Sequence, residues 1–269
     1  MDKKITIKDI ARESGVSIAT VSYVLNNRED KRISEETKKK VLQVVNMFNY
    51  TCSFSARHIS TGKTNIVALY VNNLAFPLCC AEKHVFTTHL AQTLSQHGYS
   101  LRLVDGKETS QLQNVDAIIC YDTPRETFRT IGNNNFVPLL SYNNFVGDSL
   151  FYQVNTNYEK AAQFAAEKFG TDDFEVASLV MGNFERHNML LKTFPHAQFV
   201  DSFDAASELA SQCADRPLLV FEQSLRDYLS EWCENLCLYE PYDEKISLLV
   251  QKMQEVINRQ DVLGYDIRL

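Results

Sequence analysis

Between Thr6 and Asn26 the chain reads as two short helices about a tight turn. Thr6 and Asp9 stand in capping-box spacing, where side-chain oxygens satisfy the backbone N–H groups left without partners at a helix start. Ile7, Ile10 and Ala11 recur at i, i+3 and i+4 and make one apolar face. Gly15 follows at the position where helices commonly close in a left-handed conformation, and Ser17 caps the second helix. Val21, Val24 and Leu25 turn inward on that helix. Ile18, Ala19, Ser22 and Tyr23 are left on its outer, N-terminal half. A third helix is expected from Ser34 to about Phe48, burying Val41, Val44 and Val45. Helices this short are marginal alone, so the three must share one small core.

Charge separates this segment from the rest. Residues 1–65 hold twelve Lys or Arg against seven Asp or Glu, a net of +5, whereas the whole chain carries −7, which leaves −12 on residues 66–269. A basic segment on an acidic body points to a polyanionic partner, and a helix-turn-helix points to the major groove of double-stranded DNA. The acidic remainder would repel DNA and confine contact to the amino-terminal unit. The competing reading is a three-helix unit that mediates protein contacts.

The residues that carry this pattern resemble the lactose/galactose-repressor (LacI/GalR) family of bacterial transcription regulators. The likeness runs through Thr6–Ala11, Gly15–Ser17, Ala19–Ser22, Val24–Asn26, Ile33–Thr37, Asn49–Tyr50 and Ala56–Arg57. The resemblance implies that Ile18, Ala19 and Tyr23 read bases, and that Thr6, Ser17, Thr20, Ser22, Asn26, Ser34 and Tyr50 contact or position the DNA backbone. Phosphate contacts set register and base contacts set preference. Position 23 is often arginine in this family; tyrosine offers one hydroxyl and a ring face instead of a bidentate bond to guanine. Residues 50–63 fall where the family has a hinge helix. Ala56 and Arg57 lie beside Ile59, which holds the place of the apolar wedge that enters the minor groove and bends the duplex. A β-branched wedge is stiffer than the usual leucine. Cys52 replaces a common proline, which implies a less preorganised hinge; the competing reading is a plain linker.

The body alternates apolar strands with helices, which argues for parallel α/β layers. Strands are expected at Ile66–Val71, Tyr99–Val104, Ala117–Tyr121, Val137–Ser141, Val176–Val180 and Pro217–Phe221. Helices are expected at Val85–His97, Asn157–Phe169, Ser224–Leu236 and Asp243–Ile257. About two hundred residues is large for one core, so two lobes are expected. By resemblance this is a two-lobed, periplasmic-binding-protein-like α/β core behind a three-helix headpiece: 1–49 headpiece, 50–64 hinge, 65–269 core. Lobe one would cover about 65–143 plus 238–258, and lobe two about 154–235, with a crossover near Asn143–Gln153. Phe86, Leu90 and Leu94 share a helix face, which suits a subunit interface or ordinary lobe core. The body is also trimmed: Asp105–Asn114 is too short for a helix.

An effector site of the sugar-binding kind needs convergent polar groups in a cleft. Asn72, Asn73, Tyr121, Asn143, Asn144 and Arg186 lie at lobe edges and are the candidates. Arg186 falls where the family has a ligand-facing arginine; a surface charge at a helix start is the competing reading. Other family positions are eroded, with Val154–Asn157 lacking the usual aspartate and Phe221–Gln223 reading Phe-Glu-Gln. That erosion leaves a different small effector, a protein co-regulator, or none.

Other chemistries find no support. Seven cysteines, an odd count, with no secretory signal ahead of Met1–Lys4 indicate reduced thiols and a cytoplasmic protein. Cys233 and Cys237 read as one helical turn apart but lack further ligands for a metal. Gly62–Thr64 imitates the end of a phosphate loop whose first glycine is missing, since Arg57 stands there. No His-Glu-x-x-His run, nucleophile elbow or membrane-length apolar stretch occurs. The reading is therefore a sequence-specific regulator, expected to repress as a homodimer on a near-palindromic operator, with no catalytic residues, metal or cofactor. A free sugar-binding protein would leave the basic headpiece without a purpose, and an enzyme would need a nucleophile, base or metal set.

Overall fold

The structure, a computed structural model, describes residues 5–25, 32–48, 63–258 and 264–269. It separates residues 1–64 from residues 65–269 as two compact units.

The first unit contains α1 (Ile7–Ser14), α2 (Ile18–Leu25) and α3 (Glu35–Met47). Ile10, Ala11, Val21, Val41 and Val44 form its buried centre, with Val16, Val24, Leu25, Val45 and Phe48 packed around them. The capping pattern explains where the helices stop. The Thr6 backbone N–H donates to the Asp9 carboxylate at 3.0 Å, and the Thr6 hydroxyl donates to the same oxygen at 2.7 Å. Gly15 takes φ +67°, and the Val16 N–H then reaches back to the Ala11 carbonyl at 3.1 Å. An L-residue with a side chain would resist that φ.

The second unit holds two parallel sheets. The first comprises β1 (Ile66–Val71), β2 (Ser100–Val104), β3 (Ala117–Tyr121), β4 (Leu139–Tyr142), β5 (Tyr152–Asn155) and β10 (Asp266–Arg268), in the order β10-β5-β4-β3-β1-β2. The second comprises β6 (Glu175–Leu179), β7 (Gln198–Val200), β8 (Leu218–Val220) and β9 (Leu236–Leu238), in the order β7-β6-β8-β9. The continuous apolar runs of β1 and β3 follow from burial on both sheet faces. Helix α4 (Pro77–Gln96) and helix α10 (Tyr242–Ile257) cover one face of the first sheet, and α5 (Arg125–Asn134) covers the other. Around the second sheet lie α6 (Tyr158–Phe169) and α7 (Phe184–Thr193) on one side, with α8 (Phe203–Gln212) and α9 (Gln223–Leu229) on the other. Leu78 and Cys79 near the start of α4 pack into lobe two, while Phe86, Leu90 and Leu94 pack into lobe one. One 20-residue helix thus serves both cores.

Several sequence expectations change here. Helix α4 begins at Pro77, eight residues before the expected Val85; proline at N1 is the start signal. Phe86, Leu90 and Leu94 are fully buried within the chain, so they form lobe core and not a subunit interface. Tyr152–Asn155 pairs in register with β4 and belongs to the first sheet, which moves the crossover beyond the expected Asn143–Gln153. The helix expected over Ser224–Leu236 stops at Leu229, and Leu236–Leu238 is a strand. Cys237 lies on that strand, so it does not share a helical turn with Cys233. Helices α5 and α8 and strands β5, β7, β9 and β10 were not anticipated. The short strands among them hold three or four residues, too few to show a period. Asp105–Asn114 contains no helix, as expected from its length.

Candidate functional site

Two regions gather the residues singled out by sequence. In the first unit, Ser17 Oγ accepts the Thr20 N–H at 3.0 Å and pairs with the Thr20 hydroxyl at 2.9 Å. Ser34 does the same for Thr37, at 3.2 Å and 2.8 Å. These serines therefore set where α2 and α3 begin. With α2 fixed, Ile18 and Ala19 face solvent, Ile18 45% exposed, and Thr20, Ser22 and Tyr23 are half-buried. Thr6 is exposed. Ile18, Ala19, Ser22 and Tyr23 share one side of the helix through i, i+1, i+4 and i+5 spacing, while Val21 fills the core. Asn26, Tyr50, Cys52, Ala56, Arg57 and Ile59 lie outside the described residues.

In the second unit, both sheets change winding direction next to their first strands, and clefts form at the carboxyl ends of strands flanking such a point. Asn72 follows β1, Asp122 follows β3, and Glu222 follows Phe221 at the end of β8. Arg186 projects from the first turn of α7. All four are buried, Arg186 to 4% exposure. Arg186 lies 3.4 Å from Asp122 across the lobe boundary and 3.2 Å from Glu222 on its own side. The surface-charge reading of Arg186 is thereby replaced by a buried ion-pair network. Asp122 further accepts the Asn72 side-chain amide and the backbone N–H groups of Gly182 (2.8 Å) and Asn183 (3.2 Å). Asn183 donates to the Thr123 carbonyl at 2.8 Å. Glu222 accepts from the Ser178 hydroxyl at 2.8 Å and the Leu179 N–H at 3.0 Å. The lobes meet so closely that a Cβ on Gly182 would stand 2.6 Å from the Asp122 carbonyl. Asp122 itself takes φ +48°, a left-handed conformation that is costly for a residue with a side chain.

Burial raises the proton affinity of both Asp122 and Glu222, and the Arg186 charge opposes that shift in each. Two neighbouring groups extend the network. Glu82 of α4 accepts the Ser224 N–H at 2.9 Å and bonds the Tyr242 hydroxyl. Burial, reinforced by the Glu222 charge, pushes Glu82 up to about 8. Lys245 of α10 is fully buried and bonds Asn143 (3.0 Å), Thr156 (2.9 Å) and Glu240 (2.8 Å). Burial pulls it down to about 8 against the attraction of Glu240.

The structure brings Asn72, Tyr121 and Arg186 to one space, but that space measures about 20 Å³. Such a volume holds a single water, whereas small-molecule sites run to several hundred Å³. Asn143 lies in the adjoining lysine cluster, Asn144 ties Thr123 to Cys120, and Asn73 is exposed. Sequence reasoning missed Asp122, Glu82, Glu240 and Lys245. Lys245 had a visible signal: it interrupts the apolar stripe of Tyr242, Ile246, Leu249 and Met253.

Together these features define a helix-turn-helix headpiece attached to a two-lobed α/β core. The sequence profile of "Bacterial regulatory proteins, lacI family" matches residues 6–53. Over 74 residues the chain is 45% identical to catabolite control protein A of Streptococcus mutans, covering 28% of this chain and 22% of that protein. Over 191 residues it is 26% identical to the probable repressor ExuR of Bacillus subtilis, covering 66% and 55%. The first of these matches therefore spans about a fifth of the relative's length. In fold, the chain is similar to the lac repressor dimer bound to operator and the anti-inducer ONPF, with TM-score 0.62, 13% identity, and 99% and 96% of the two chains covered. It is also similar to the regulator CelR in its cellobiose complex, with TM-score 0.52, 14% identity, and 98% and 97% covered. The headpiece thus matches the lacI-family sequence model, and the chain has a fold similar to that of the lac repressor. Among the described residues no helix is long and apolar enough to cross a membrane.

Proposed function

We propose that this protein is a sequence-specific DNA-binding transcriptional regulator, acting in the cytoplasm as a homodimeric repressor on a near-palindromic operator. The observation that carries this reading is the capped second helix with Ile18, Ala19 and Tyr23 on its accessible side, in a segment of net charge +5. In this reading Ile18 and Ala19 pack on thymine methyl groups and Tyr23 contributes one hydrogen bond or a ring face. Thr6, Ser17, Thr20, Ser22, Asn26, Ser34 and Tyr50 hold the backbone, and Ile59 with Ala56 and Arg57 enters the central minor groove. Selection of tight binders from random duplexes tests it. The selected site should bind with log K falling by roughly 0.9 per phosphate contact against log salt. Tyr23→Ala should weaken that site by ~1–3 kcal/mol while leaving random DNA unaffected. Equal losses on both DNAs would reject Tyr23 as a reader, and no enrichment at low salt would reject the function.

A second reading concerns control. The relatives with known ligands include a regulator in complex with cellobiose, which makes a sugar-like effector the first expectation. The space at Arg186 speaks against a sugar there, because Asp122 and Glu222 already pair with its two terminal nitrogens and the remaining volume is about 20 Å³. We therefore favour a body whose central cleft is closed by its own side chains.

A further inference from the structure

A larger cleft lies elsewhere between the lobes. Its volume is about 390 Å³, within the range of small-molecule sites. Lobe two supplies one stripe of α7: Glu185, Asn188, Met189 and Lys192, at i, i+3, i+4 and i+7. Arg186 and Leu190 on the same helix are buried on its other side. Lobe one supplies Arg125 from the start of α5, Phe145 to Gly147 from the loop after β4, and Arg268 from β10. Phe145, Val146 and Met189 give the cleft its apolar lining.

The charges do not balance. Arg125 is 3.5 Å from Glu185, and Arg268 is 2.7 Å from Asp266, so both carboxylates at the cleft already have a guanidinium. Lys192 has no ion-pair or hydrogen-bond partner among the described residues, and it is exposed at the rim. Arg125 Nε is buried and also lacks a hydrogen-bond partner among them. Arg268 further lies over the Phe145 ring at 5.5 Å, so a cation and an aromatic face stand side by side. An uncompensated ammonium beside two guanidinium groups favours an anion, and charge-assisted bonds to such groups are the strong ones. The apolar lining favours a ligand that also buries a hydrocarbon or ring.

We propose that this cleft binds a small organic anion, a phosphate or carboxylate head on an apolar body, with Lys192 and Arg268 on the head and Phe145 and Met189 under the body. The ligand touches both lobes and is separate from the closed space at Arg186. The site does not depend on the DNA-binding reading.

The test titrates the full chain, labelled at methionine methyls, with phenyl phosphate, with phenylacetate, and with neutral benzyl alcohol. Met189→Leu assigns its resonance. Saturable movement of the Met189 signal by either anion, with Met253 in the lobe-one core unmoved, is the expected result. The anion that moves it at lower concentration names the head group. Lys192→Met keeps the aliphatic stem and removes the charge, and should weaken the anion about tenfold, with Lys192→Arg restoring it. Equal binding of benzyl alcohol, unchanged affinity in Lys192→Met, or a silent Met189 up to about 10 mM ligand would each overturn the proposal.

Discussion

Glu82 sits on α4 between the part that packs into lobe two and the part that packs into lobe one, and it is 3% exposed. Buried there, it keeps its proton up to about pH 8, whereas the unfolded chain releases it near 4.5. Between those values the folded state holds more protons than the unfolded state. The associated stability is therefore fully present below 4.5 and is lost as pH rises through about 8. Asp122 and Glu222, raised by the same burial, act in the same direction. Lys245, held down to about 8 from 10.5, begins to release its proton at the top of that window and there acts in the opposite direction. Glu82→Gln preserves the shape and the bond to the Ser224 N–H but cannot ionise. Urea midpoints measured between about pH 5 and 8 should fall less steeply in the variant; parallel curves would show that Glu82 ionises normally.

Helix α2 depends on one hydroxyl for its start. Ser17 precedes its first residue and accepts the Thr20 N–H, and the next turn then presents Ile18, Ala19 and Tyr23. Ser17→Ala should destabilise the headpiece by about 1 kcal/mol, the usual cost of losing an N-cap, read as a lower thermal midpoint of the headpiece transition. An unchanged midpoint would mean that the neighbouring packing of Val16 and Val21 holds α2 without the cap. Helix boundaries of this sort were legible in sequence because caps are local chemistry. The α6 start at Asn157 belongs with them: its side chain accepts the Lys160 N–H at 3.1 Å. The strands β5, β7, β9 and β10 were not legible. Three or four residues carry no period, and their pairing partners lie far along the chain, as β10 at Asp266 pairs with Gln153.

Arg186 links the two lobes through one buried charge on each side. Removing the arginine strands both carboxylates, and breaking such a group by deleting one partner typically costs about 3–5 kcal/mol. Arg186→Met should lower the urea midpoint of the 65–269 unit accordingly at neutral pH, with partial recovery in acid as Asp122 and Glu222 take up protons. A variant as stable as the parent would show that the lobes stay together by apolar packing alone. The same cluster explains why the central cleft is small. Asn72, Asn143 and Arg186, which sequence reasoning offered to a ligand, are instead bonded to Asp122, Lys245 and Glu222.

The headpiece, its caps, its charge and the alternation of the body were written in local order, because helix starts and apolar periods involve residues within one or two turns of each other. The likeness to the LacI/GalR family rests on the same short-range pattern. Which polar residues meet was settled by distance in space. Asp122 and Arg186 are 64 positions apart, and Glu82 and Ser224 are 142 apart. Burial then set their protonation, an effect of the dielectric around each group and not of its neighbours in the chain.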